Sequence, residues 1–160
     1  MEKLGYNVWW PALPYLEEPR LQQSLTYLHD NAHATSPDTI VIGHSAACPL
    51  ILSWLERQNS RIKQAILVSG FYHDLDDKDG YSSKMLQESY DWEAIKAAAQ
   101  EILLINSDND PYGCTDTQAR PVAQALGAPL IVMTGQGHMG SGAYNQPYRQ
   151  FPLLKKLISQ

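Results

Sequence analysis

The sequence predicts an α/β fold, a mostly parallel sheet with helices on both faces. Short runs rich in Ile, Leu and Val lack strict alternation, as expected of strands buried on both sides. Between them lie stretches with apolar residues at helical spacing, and strands alternating with helices are the pattern of a parallel sheet.

In chain order, Tyr6 to Trp10 reads as the first strand. Leu21, Leu25 and Leu28 form the stripe of a helix expected to pack on the sheet. Thr39 to Ile42 is the next strand, followed by a helix from near Ala46 whose face is Ala47, Leu50, Ile51, Trp54 and Leu55. Ala65 to Ser69, Ile102 to Asn106 and Pro129 to Met133 complete the strands. A last stripe, Phe151, Leu154, Leu157 and Ile158, follows Pro147, a residue suited to a first helical turn. Phe71 to Tyr90 shows no clear period and reads as a mobile loop.

With 160 residues, 44% hydrophobic and 18% charged, the chain suits a single domain spanning residues 1–160. A formal charge of −5 offers no electrostatic attraction for nucleic acid or an anionic membrane. Nothing resembles a signal peptide or a membrane-spanning run, so a cytoplasmic protein with reduced Cys48 and Cys114 is expected.

The stretch "VIGHSAACPL" places Ser45 between a strand and a helix, with Gly43, Ala46 and Ala47 around it. Small residues are needed at such a turn because strand and helix backbones approach closely there. The pattern is G-x-S-x-A, with Ala47 where G-x-S-x-G has its last glycine. The N–H of Ala46, entering the helix, would point at an oxyanion forming beside Ser45. A serine nucleophile needs a base and an orienting acid. "SDNDPYG" follows the strand Ile102 to Asn106, and "GQGHMGSG" follows Pro129 to Met133. The order Ser45, then Asp108 or Asp110, then His138 is that of an α/β-hydrolase, with each residue just past a strand. Such chemistry needs no metal or organic cofactor.

"GHSAACPLILSWLE", "DWEAIK" before "EILLINSDNDPYG", and "GQGHMGSGAYNQPYRQFPLL" resemble the small serine hydrolases related to retinoblastoma-binding protein 9. The resemblance runs from about Gly5 to the C-terminus. It implies a compact α/β-hydrolase-like three-layer sandwich with Ser45 as nucleophile, His138 as base and Asp110, directly before Pro111, as acid. It also implies a small-molecule ester or amide substrate. In that fold a strand and a His-Gly loop precede this region, and the opening "MEKLGYNVWWPALP" reads instead as a helix end followed by a strand. An N-terminally shortened sheet is therefore expected. It would either pair Tyr6 to Trp10 directly with Thr39 to Ile42 or leave an incomplete edge open to self-association.

His44, Tyr72 and Tyr81 are candidate substrate contacts, the tyrosines through a Phe71 to Tyr90 loop lying over the Ser45 rim. For His44 a bond to backbone is the plainer alternative. His29 and His33, though spaced i, i+4, read as a solvated helix face, and Trp9, Trp10 and Trp92 as core. A noncatalytic interaction module on a hydrolase scaffold is the alternative function. Redox chemistry at Cys48 is disfavoured because no Cys-x-x-Cys spacing exists.

Overall fold

The computed structural model describes residues 2, 5–14, 18–32, 35–75, 83–140 and 150–158. Its elements are α1 (Leu21–Asn31), β1 (Ile40–His44), α2 (Ala47–Leu55), β2 (Ile62–Val68), α3 (Trp92–Ala97), β3 (Ala99–Ser107), α4 (Asp116–Leu126), β4 (Leu130–Met133) and α5 (Pro152–Ile158). The strands form one sheet in the order β1-β2-β3-β4, with every neighbouring pair parallel.

Sequential order dictates where the helices go. Right-handed crossovers that always step in the same direction deposit their helices on the same face. α2, α3 and α4 accordingly share one core with Leu67, Ile102 and Leu104 of the sheet. The opposite face, with Ile66, Val68, Leu103 and Ile105, is covered by α5 through Ile158, Leu154 and Leu157, and by Tyr6. The Tyr6 hydroxyl donates to the Ile158 carbonyl, joining the two ends of the chain.

Local chemistry explains the helix boundaries. Asp91 caps α3 by accepting the Ala94 N–H at 3.0 Å. α4 closes at Gly127, whose φ of 62° is the left-handed conformation that ends helices. Pro152 occupies the first position of α5, the role expected of Pro147, which lies outside the described residues.

Three expectations are corrected. Tyr6 to Trp10 is not a strand. Tyr6 belongs to the α5 face and Leu13 to the cluster around Leu25, Leu50 and Met85, so the segment crosses between layers instead of lying in the sheet. Trp9 and Trp10, read as core, are exposed, Trp10 by 89%. The α1 stripe packs against Leu50 and Trp54 of α2 and Met85, outside the layer that touches the sheet. Among the described residues β1 pairs only with β2, and Ile42 is 39% exposed. No helix among them is long and apolar enough to cross a membrane.

The central strands should therefore tolerate truncation far less than β1. Ile105→Ala, at a fully buried position, should cost about 2–5 kcal/mol. Ile42→Ala should cost no more than about 1 kcal/mol because much of its side chain is already in water. Urea unfolding midpoints of the two variants check the difference.

Candidate active site

Parallel register brings three loops to one rim. His44 of β1 lies beside Val68 of β2, Val68 beside Ile105 of β3, and Ser107 of β3 beside Met133 of β4. The loops leaving β1, β3 and β4 carry Ser45, Asp110 and His138.

Ser45 has φ 56°, the left-handed region that non-glycine residues rarely occupy. Its N–H donates to the Val68 carbonyl at 3.0 Å, and its carbonyl accepts the Cys48 N–H at 2.9 Å. The bend is thereby anchored to β2 on one side and to α2 on the other. Gly43 shows why small residues surround it. A Cβ there would stand 2.5 Å from Ile51 Cδ1 and 3.0 Å from the Ala47 carbonyl oxygen. Ala46 is the N-cap residue of α2, so its N–H belongs to the turn entering the helix.

Asp110 and His138 form a buried pair, with His138 Nδ1 2.7 Å from Asp110 Oδ2 and side chains 7% and 0% exposed for His138 and Asp110 respectively. A carboxylate only accepts, so Nδ1 carries the proton and Nε2 of a neutral ring is left as the base. The second oxygen, Oδ1, accepts the Tyr112 N–H at 2.9 Å, which fixes the carboxylate plane. Asp108 points elsewhere: its Oδ1 accepts the Gly135 N–H at 2.8 Å. Of the two aspartates only Asp110 meets the imidazole.

His44 reaches the same imidazole loop. Its Nε2 donates to the His138 carbonyl at 2.8 Å, and the two rings meet edge to face at 4.7 Å. Burial of the ring pushes His44 below the ordinary value of 6.5, partly opposed by the bond to the His138 carbonyl. The residue as a whole remains exposed at the rim.

Tyr72 lies to the side, packed near Trp92 with ring centroids 6.1 Å apart and its N–H donated to Gln118 Oε1. Tyr81 lies outside the described residues. Of the surrounding loop, Lys84 bonds by its carbonyl to the Leu21 N–H, and Met85 is buried among Leu25 and Leu50. Sequence reasoning missed Tyr112, whose ring lies 4.7 Å from that of His138 and which is 40% exposed. Its place two residues beyond Asp110, in the same turn, was the available signal.

Both cysteines are free and buried. Burial pushes the Cys48 thiol up to about 12, and burial together with the Asp110 charge pushes Cys114 higher still. Cys114 Sγ, an Asp110 oxygen and a His138 nitrogen lie within 4.8 Å of one another. His138 Nδ1 and Asp110 Oδ2 are already bonded to one another at 2.7 Å, so these donors suit an acid–base pair.

A family model described as serine hydrolase matches residues 8–160. The chain is 31% identical over 111 residues to the serine hydrolase RBBP9 of Rattus norvegicus, covering 69% of this chain and 58% of that protein. It is 30% identical over 131 residues to the YdeN protein of Bacillus subtilis strain 168, covering 79% of this chain and 66% of that one. The chain thus spans less than two thirds of either relative's length. The crystal structure of the ydeN gene product from B. subtilis matches at 26% identity with a TM-score of 0.78, over 92% of this chain and 77% of that one. Since the match runs through all the strands and helices from α1 to α5, the chain belongs to the serine hydrolase family and has an α/β-hydrolase fold.

Proposed function

We propose that the chain cleaves an ester or amide bond of a small substrate through an acyl-enzyme, with Ser45 as nucleophile, His138 as general base and Asp110 as the orienting acid. The observation that carries this reading is the buried 2.7 Å bond between His138 Nδ1 and Asp110 Oδ2, at the same sheet rim as the strained Ser45. Ser45 Oγ attacks the carbonyl carbon while its proton passes to His138 Nε2. The tetrahedral oxyanion is met by the Ala46 N–H, the imidazolium protonates the leaving alcohol or amine, and water then releases the acid by the same route. Asp110 keeps the proton on Nδ1 throughout. Tyr112, exposed beside His138, forms part of the wall a substrate meets.

A fluorophosphonate probe should label Ser45 and no other residue, and Ser45→Ala should abolish both labelling and hydrolysis of a p-nitrophenyl ester panel. Lack of labelling in the folded wild type would favour the noncatalytic interaction module. Asp110→Asn should lower kcat by roughly three to four orders of magnitude, because the imidazole loses the partner that holds its tautomer. Asp108→Asn keeps the Oδ1 acceptor used by Gly135 and should change kcat far less. Steady-state rates of the two variants separate these roles.

His44 adds a pH signature. Its folded value lies below 6.5, so below that pH the unfolded chain binds a proton that the folded chain takes up only at lower pH. The stability it contributes is fully present above 6.5 and drains away as pH falls through 6.5 towards the folded value. Melting temperature should therefore drop between pH 7.5 and 5. In His44→Gln, which keeps a donor for the His138 carbonyl, the drop should be smaller.

A further inference from the structure

Residues 107–110, the last residue of β3 and the three that follow it, each bond the loop that carries His138. The Ser107 hydroxyl donates to the Gly137 carbonyl. Asp108 Oδ1 accepts the Gly135 N–H and Asn109 Oδ1 the Gly137 N–H, each at 2.8 Å. Asp110 then takes the His138 ring itself at 2.7 Å. Gly137 is thus held on both sides, through its own N–H and its own carbonyl, immediately before His138.

The loop needs such holding. Gly137 has φ 53° and Met139 φ 45°, so His138 sits between two residues in the left-handed region. An L-residue such as Met139 is strained there, and strained backbone persists only where its surroundings over-determine it. A bond from Asp110 to Nδ1 can restrain the ring but leaves the backbone free to turn about it. The two peptide groups flanking Gly137 set that backbone, and Ser107 and Asn109 hold one each.

We propose that Ser107 and Asn109 are positioning residues that set the His138 imidazole by clamping Gly137 from both sides. This rests on the reading of His138 as the general base. Neither residue touches the reacting atoms. Ser107 is fully buried and its bond is directed at the loop, while Asn109 offers a neutral acceptor that leaves the charge at the imidazole to Asp110 alone.

The test compares Asn109→Ala, Asn109→Asp and Ser107→Ala on a p-nitrophenyl ester. Asn109→Ala and Ser107→Ala should lower kcat about 10- to 100-fold, the scale of a misplacement near 1 Å, with KM unchanged. Asn109→Asp keeps an acceptor but adds a negative charge near the imidazole, which favours the imidazolium. Its kcat should recover at alkaline pH, and the acid limb of its kcat/KM profile should move to higher pH. The limb reads the added charge, so it is the recovery of kcat with the retained Oδ1 acceptor, against the loss in Asn109→Ala, that reports the clamp. Wild-type kcat in Asn109→Ala, or Asn109→Asp as impaired as Asn109→Ala at every pH, would overturn the proposal. If Asn109→Ala does not fold, kcat of Ser107→Ala and the pH profile of Asn109→Asp decide the matter. The downfield NMR resonance of the His138 Nδ1 proton needs no turnover and should shift or broaden in Asn109→Ala and Ser107→Ala; an unchanged resonance in folded variants overturns the clamp. Turnover that survives Ser45→Ala defeats instead the reading of Ser45 as nucleophile with His138 as its base, and leaves this resonance to decide the clamp.

Discussion

At Gly43 the backbone of β1 and the start of α2 come close together: a notional Cβ would stand 3.0 Å from the Ala47 carbonyl oxygen and 2.5 Å from Ile51 Cδ1, so that any larger residue would force its neighbours to shift. That contact sets how steeply the chain must turn from strand to helix. Ser45 takes the turn, in a conformation that costs an L-residue about 1–2 kcal/mol. The cost is met locally by the bonds from Ser45 N–H to Val68 and from Cys48 N–H to Ser45, each contributing about 0.5–1.5 kcal/mol net. Burial of Leu50, Ile51, Leu52 and Leu55 on α2 adds more and keeps the helix seated. A tight strand-to-helix contact thus becomes an exposed hydroxyl on a rigid bend.

The imidazole loop solves a different problem. Its backbone visits the left-handed region at Gly135, Gly137 and Met139. Its rigidity comes from neighbours: the β3 loop on one side and His44 on the other. His44 lies one residue before Ser45, so the serine bend and the imidazole loop are tied by a single side chain. Asn106 extends the frame, its Nδ2 donating to the carbonyls of Gly70 and Cys114 at 2.9 Å each. Electrostatic preorganisation of this kind removes the need to reorient groups when charge develops.

The middle of the sheet was legible in the sequence because burial on both faces leaves little room for polar residues in Ala65 to Val68 or Ile102 to Ile105. The strand starts were not. Gln64 and Glu101 look like loop residues, yet they face each other across β2 and β3 and bond side chain to side chain at 2.7 Å. Tyr6 to Trp10 misled for the converse reason: its composition suits a strand, but Tyr6 packs on the α5 face, Leu13 beyond it packs in another layer, and Val8 to Trp10 between them are exposed. α4 was missed because Pro121 and its polar residues blur the stripe, although Ala119, Val122, Ala123 and Leu126 are buried. Ser45, His138 and the loop of Asp108 and Asp110 stood out because each follows a strand, and the choice of Asp110 between the two rested on the family resemblance. The roles of Ser107 and Asn109 could not be read there, since they depend on two loops meeting that lie far apart in sequence.

The one-sided placement of the crossover helices bears on how the chain is made. β2 and β3 can gather α2, α3 and α4 as each emerges, so one face of the sheet fills progressively from the ribosome. The other face exposes Ile66, Val68, Leu103 and Ile105 until Pro152–Ile158 arrives to cover them. Between the completion of β3 and the arrival of α5 the nascent polypeptide therefore carries a sticky, half-finished surface, a form in which chaperones bind and aggregation begins.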